Sequence, residues 1–310
     1  MKNKIELAPG LMVSPVITGL WQIADMERDG KVLDPEITSD KMLSYVEAGL
    51  TSFDMADHYG SAEVIAGTYH YNNPDSEVQL FTKWVPAPGK VSSKTVRAAV
   101  QKALSRLQTE CLDLLQYHTW SYSDPVWLDT LFELQRLKEE GLIKHLGVTN
   151  FDAAHLRIAR ATGIEIVSNQ VCYSLLDQRA GGEMLNVCQE YDVKLLAFGT
   201  LAGGFLSEKW IGKSEPKLTE KLTWSQMKYK RFIDAAGGWK DFQQLLMLLL
   251  ELATRQGISI ANIATKYILD QPHVGAVIVG ARLGESDYLS DNIQLSDIQI
   301  YKDSIKKLRF

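Results

Sequence analysis

VQLFTKW (residues 78–84), SSKTVRAAVQKALSRLQ (92–108) and CLDLLQYH (111–118) follow one another along the chain, and their order decides the fold. The first and last are short apolar runs that end on polar or aromatic residues, the pattern of strands buried on both faces. Between them, apolar residues fall at Val96, Ala99, Val100, Ala103, Leu104 and Leu107, which is one face of a helix. A strand, a covering helix and a further strand make one unit of a parallel sheet.

The alternation continues in both directions. VITGLW (16–21) and TSFDMA (51–56) come before this unit; IKHLGVTN (143–150), IEIVSNQV (164–171), KLLAFGT (194–200) and GAVIVGA (275–281) come after it, making eight strand-like runs. SDPVWLDTLFELQRLKEEG (123–141) reads as another covering helix, with Asp124 as cap, Pro125 at the first position and Gly141 closing it. Eight such units predict an α/β fold, a (β/α)8 TIM barrel, as a single domain over residues 1–310. The rival is an open doubly wound sheet. Its GxGxxG fingerprint is missing, because the first run leads into the acidic QIADMERDG (22–30), which has no closely spaced glycines. IELAPGLMVSPV (5–16) holds a Pro-Gly turn between two apolar stretches and predicts an N-terminal hairpin placed to plug the barrel's bottom.

Composition narrows the function. At 45% hydrophobic and 23% charged residues the chain can build a large soluble core. A net charge of −5 without an arginine-rich run speaks against a nucleic-acid partner. Cys111, Cys172 and Cys188 are widely spaced and form no CxxC, as expected of reduced thiols rather than a disulfide or zinc scaffold. The start, MKNKIELAPG, lacks an apolar signal core, and LLMLLLELA (245–253) is about half a membrane span. The expectation is a cytoplasmic protein with no membrane partner and no metal, HExxH and other tight ligand clusters being absent.

In a barrel, chemistry gathers at the C-terminal ends of the strands. Those ends supply Asp54 and Tyr59 after the second run, Lys83 at the third and His118 at the fourth. Each has a plain structural reading: a strand-end lysine can snorkel and a lone histidine is usually a satisfied core residue. Four polar groups of complementary chemistry at one mouth are harder to explain that way.

These motifs carry a resemblance. DMADHYG (54–60) is similar to the D-x-A-x-x-Y-G of the aldo-keto reductase family, TKW (82–84) to its strand-three lysine site and QYHTW (116–120) to its strand-four histidine site. GVTNF (147–151) resembles the family's G-V-S-N-F, and SNQV (168–171) its asparagine-glutamine cofactor site. AFGTLAGGFL (197–206) and VIVGARLGESDYLSDN (277–292) resemble its two cofactor loops, so the likeness runs in order along nearly the whole chain.

The resemblance implies NADPH-dependent reduction of an aldehyde or ketone, a small-molecule carbonyl substrate, to an alcohol. It makes Tyr59 the proton donor, with Lys83 expected to lower its pKa, Asp54 to keep Lys83 charged, and His118 to bond the carbonyl oxygen. Asn150, Gln170 and Phe198 would meet the nicotinamide, with Trp21 also at the cofactor and, by its place after the first strand, a further wall of the pocket. Phe198 stands where many relatives have a tyrosine, so the stacking face remains without its hydroxyl. Gly199, Thr200, Leu201 and Gly203 would line the pyrophosphate, with backbone N–H groups brought close by glycine. Gly280, Ala281, Arg282, Ser286 and Asn292 would hold the adenosine end, Arg282 meeting the 2′-phosphate of NADP; this loop is about two residues longer than the family's usual spacing. Trp84 and Trp120 would wall the substrate pocket. Residues 207–239, rich in Lys, Glu, Ser and Gly, form a long connection after the seventh strand, expected either to cover part of the cofactor or to be a passive insertion. Two rivals are an NADP-binding regulatory or sensor subunit with little turnover and an aldolase using Lys83 as a Schiff-base amine.

Overall fold

The computed structural model describes residues 4–300 apart from 90, 124, 218–221 and 285–287; the expected Asp124 cap and Ser286 lie outside the described residues. A hairpin comes first, β1 (Ile5–Ala8) and β2 (Leu11–Val13), paired antiparallel across the Pro9-Gly10 turn. β3 (Val16–Gly19), β4 (Ser52–Asp54), β5 (Gln79–Trp84), β6 (Leu112–His118), β7 (Ile143–Thr149), β8 (Ile166–Cys172), β9 (Lys194–Phe198) and β10 (Val274–Gly280) then form a closed barrel in chain order. Every pairing is parallel, including β10 with β3, which closes the ring. The expected barrel and hairpin are both present.

Two short helices, α1 (Pro35–Ser39) and α2 (Leu43–Glu47), join β3 to β4. α3 (Ala62–Asn72), α4 (Ser93–Leu107), α5 (Val126–Glu139), α6 (Ala153–Ala161) and α7 (Glu183–Tyr191) each cover the next gap. After β9 come α8 (Trp224–Ala235), α9 (Gly238–Gln256) and α10 (Ile260–Leu269), and after β10 a short α11 (Leu289–Gln294). α4 buries Val96, Val100, Ala103 and Leu107, as its spacing demands, and its Ser92 cap accepts from the Thr95 N–H. The apolar run near Leu245 is one side of α9, with Met247 exposed opposite. Among the described residues, no helix is long and apolar enough to cross a membrane.

Strand alternation divides the core into an inner and an outer layer. Phe81, Leu114, Leu196, Ala276 and Ile278 point into the barrel, where Leu7, Ala8, Leu11 and Val13 of the hairpin seal its lower end. The outward-facing strand residues pack with the helices in a second cluster that holds Leu80, Trp84, Tyr117 and Val148. The lower barrel interior is thus lined largely by apolar side chains, with Ser52 bonded to Gln79 among them, while Asp54 and Lys83 lie towards its upper end. Leu7→Ala should therefore cost about 2–5 kcal/mol by opening a void beneath the barrel. Urea unfolding should show a lower midpoint with an unchanged slope.

Candidate active site

β4 ends at Asp54, whose side chain points inward and is 4% exposed. Lys83, two residues beyond the β5 partner of Asp54, donates from Nζ to Asp54 Oδ2 at 2.5 Å. Gln116 on β6 and Gln170 on β8 donate from their amides to Asp54 Oδ1 at 2.9 and 2.7 Å, and Gln170 also donates to Gln116 Oε1 at 2.9 Å. Inward parity explains the set: Phe81 and Lys83 alternate with outward Leu80 and Trp84, and Leu114, Gln116 and His118 share one side of β6. Gly147 of β7 makes room for it, since a Cβ there would lie 2.5 Å from Ser168 Oγ and 3.1 Å from Gln116 Cγ. The sequence motifs assign Gln116 no role. Its signal was an amide on the inner face of the otherwise apolar LDLLQYH.

Tyr59 stands above this layer, half-buried, with Lys83 Nζ 5.2 Å from its ring centre. Trp21 meets the ring edge-on at 4.9 Å, and His58 lies 4.9 Å away on another edge. The expectation that Lys83 lowers the Tyr59 pKa needs correcting: the hydroxyl is held well above its ordinary value. Desolvation is the main cause, and the charges of Asp54 and Asp57 add to it. Burial pulls the Lys83 ammonium below its usual pKa, while the Asp54 charge and hydrogen bond resist that fall. His58 turns to solvent and pairs with Asp57 at 2.9 Å, so neither side chain joins the Asp54 network.

His118 is 8% exposed at the end of β6. Burial, with the positive charges of Lys83, His58 and Lys228 nearby, lowers its pKa to about 4, so the imidazole is neutral and offers a single N–H at neutral pH. Trp120 lies beside it, ring centres 4.5 Å apart, and is 72% exposed. Trp84 is placed differently. It packs 6.2 Å from Tyr117 in the outer core, on the opposite side of β5 from Lys83.

The expected cofactor residues gather around the same opening. Asn150 is exposed just past β7 at a positive φ of 58°, its N–H donating to the Gln170 carbonyl at 2.8 Å. Phe198 ends β9 half-buried, with Lys228 Nζ 4.7 Å from its ring centre. Thr200 is buried beside Thr265, and Leu201 packs on the main core. Gly280 borders the Gln22 side chain, and the buried Ala281 donates its N–H to the Gly19 carbonyl at 2.9 Å. Arg282 is exposed and has no carboxylate partner among the described residues; Asn292 lies within α11.

The connection after β9 has a helix of its own among the described residues. It carries α8, which rests on the Ala202–Gly204 turn. The space that Gly199 leaves at φ +76° is filled by the Tyr229 ring of α8, 2.8 Å from a built Cβ, and Gly203 faces Tyr229 and the Ser225 backbone. These two glycines therefore admit a helix of the same chain. Ser225 also reaches across the opening: its Oγ donates to Glu27 at 3.1 Å, and Trp21 Nε1 donates to the same Glu27 oxygen at 2.5 Å. α8 is thereby fastened to the segment after β3.

A parallel barrel with an Asp–Lys pair, a tyrosine and a neutral histidine at its C-terminal mouth has the make-up of a barrel oxidoreductase. The model of the Aldo/keto reductase family matches residues 15–309, and the chain belongs to that family. Its relatives include Protein tas of Escherichia coli, 26% identical over 315 residues and covering 88% of each chain. The NADH-specific methylglyoxal reductase of Escherichia coli is 26% identical, covering 90% of each chain. The chloroplastic pyridoxal reductase of Arabidopsis thaliana is 25% identical, covering 86% of this chain and 75% of its own. A solved glycerol dehydrogenase of Gluconobacter oxydans superposes with a TM-score of 0.80 at 20% identity, covering 98% of this chain and 93% of its own, and so shares the fold. Membership makes the chain an oxidoreductase of a family that acts with nicotinamide cofactors on small carbonyl compounds.

The depressed His118 pKa means that the folded state prefers the neutral ring, so this stability is present above the ordinary histidine pKa near 6.5 and is lost as pH falls towards 4. NMR titration should find the His118 shifts flat from pH 8 to about 5.5 and moving only below that, in contrast to an exposed histidine.

Proposed function

We propose that this chain is an NADPH-dependent reductase of an aldehyde or ketone, with Tyr59 as the general acid. The observation that carries the reading is the buried Asp54–Lys83 pair, its ammonium 5.2 Å from the Tyr59 ring centre beside a neutral His118. The cofactor, when bound, supplies a hydride. Phe198 offers it an aromatic face, Asn150 an amide, Gln170 its amide oxygen, since its N–H groups go to Asp54 and Gln116, and Arg282 an exposed guanidinium, without a carboxylate partner among the described residues, suited to a 2′-phosphate.

The chain's own groups then handle the oxygen. His118, being neutral, donates one N–H to the substrate carbonyl and orients it without adding a charge. The high Tyr59 pKa keeps the proton in place at rest. An alkoxide is a stronger base than a phenolate, so as the carbonyl is reduced its oxygen takes the proton from Tyr59 Oη. Lys83 then stabilises the phenolate left behind. Its contribution lies in the transition state, where charge develops, rather than in a lowered resting pKa. An aldolase is less well supported, because a Schiff-base lysine must be neutral to attack and Asp54 holds the Lys83 proton.

Tyr59→Phe retains the ring and its packing, so NADPH affinity should hold while turnover falls roughly 100- to 10,000-fold. A panel of aldehydes with NADPH absorbance as readout checks this; near-normal rates would remove Tyr59 from the chemistry. Arg282→Ala should weaken NADPH by roughly 1.5–3 kcal/mol more than NADH, measured by fluorescence titration. Equal losses would show that Arg282 does not meet the 2′-phosphate.

A further inference from the structure

Glu63, on the first turn of α3, is a carboxylate 1% exposed that has no place in the chemistry described above. Its Oε1 accepts from Thr82 Oγ1 at 2.6 Å, and its Oε2 accepts from Arg106 Nη1 at 3.0 Å. The same Arg106 nitrogen donates to the main-chain carbonyl of Asp57 at 3.0 Å. On the other side of that residue, the Asp57 N–H donates to the Lys83 carbonyl at 2.9 Å. Asp57 is therefore tied at both its N–H and its carbonyl, two residues before Tyr59. Thr82 immediately precedes Lys83, so one buried carboxylate links the strand that carries Lys83 to the loop that carries Tyr59.

A second feature shows that the arrangement is held tightly. Arg106 lies in the last turn of α4, and its carbonyl abuts Gly67 of α3; a Cβ at Gly67 would also sit 2.8 Å from Leu107 Cα. The two helices meet backbone to backbone, so the guanidinium is delivered from a fixed point. A buried ion pair of this kind is a weak source of stability, since desolvation offsets much of the attraction. Its more specific effect is to define a distance. Glu63 also acts on Lys83 directly, its negative charge favouring the protonated ammonium.

We propose that Glu63 and Arg106 are positioning residues, which set the height of the Tyr59 loop over Lys83 through Thr82 and the Asp57 carbonyl. The inference rests on the reading of Tyr59 as proton donor. Arg106→Met removes both bonds to the loop and to Glu63. Turnover with NADPH and an aldehyde should fall roughly tenfold to a hundredfold, the cost of a small misplacement of a reacting group, with substrate KM and NADPH affinity unchanged. Amide exchange across residues 56–60 should quicken while the barrel strands keep their protection. Thr82→Val deletes only one bond to Glu63 and leaves the guanidinium in place, so it should show a smaller loss in the same sense even if Arg106→Met folds poorly. Normal turnover in Thr82→Val and in a folded Arg106→Met would overturn the proposal, as would faster exchange throughout the barrel in both, which marks a merely structural pair. If the native enzyme reduces no carbonyl compound, the functional reading fails separately. The exchange experiment then decides alone, and unchanged protection at residues 56–60 in Arg106→Met overturns the positioning role.

Discussion

Asp54 places a carboxyl group where almost no water reaches it, and the upper end of the barrel is organised around that constraint. An unpaired carboxylate at such a depth costs about several kcal/mol, so each oxygen needs its own partners. Lys83 takes one oxygen; Gln116 and Gln170 share the other. The donors stand on β5, β6 and β8, so a single side chain on β4 fixes the relative positions of four strand ends. A fully satisfied network of this kind does more for geometry than for stability. It holds the Lys83 ammonium against Asp54 beneath the tyrosine and resists the fall in its pKa that burial causes.

The network is tolerable because the barrel below it is sealed. The hairpin fills the bottom with Leu7, Leu11 and Val13, and inward Phe81 and Leu114 form the next layer. Tyr59 and His118 sit at the upper rim, where burial is partial and partners are at hand. The same partial burial sets the titration of the rim. It raises Tyr59 and lowers His118, which keeps both groups in their neutral forms, the one a proton reservoir and the other a hydrogen-bond donor. Burial thus governs both groups more strongly than the nearby charges do.

The α8 connection shows how one local signal can serve two ends. Glycine after a barrel strand permits close approach by whatever lies above it, and backbone and ligand look the same from the sequence. Here Tyr229 and Ser225 make that approach at Gly199 and Gly203, and Ser225 continues to Glu27 and Trp21. The side of the mouth formed by β9 is thereby joined to the segment that follows β3. Lys228, carried on the same helix, sets its ammonium over Phe198 and adds to the positive surroundings of His118.

Periodicity alone determined the barrel: eight apolar runs too uniformly buried to face water, with helical patterns between them, have few other ways to hide both faces. The Pro9-Gly10 turn likewise disclosed the hairpin, and the run DMADHYG with Lys83 and His118 disclosed the polar groups, because strand ends are local features. What lay beyond the sequence were relations between segments remote along the chain. That Gln116 bonds Asp54 depends on β6 lying at the right stagger and on Gly147 yielding space. That Glu63 and Arg106 grip Asp57 depends on α3 meeting α4 at Gly67. Trp84 faces outward by strand parity, once Lys83 is known to face inward. The sign of the Tyr59 shift also belonged to the tertiary structure, since desolvation is set by everything packed around a group, whereas the sequence names only its charged neighbours.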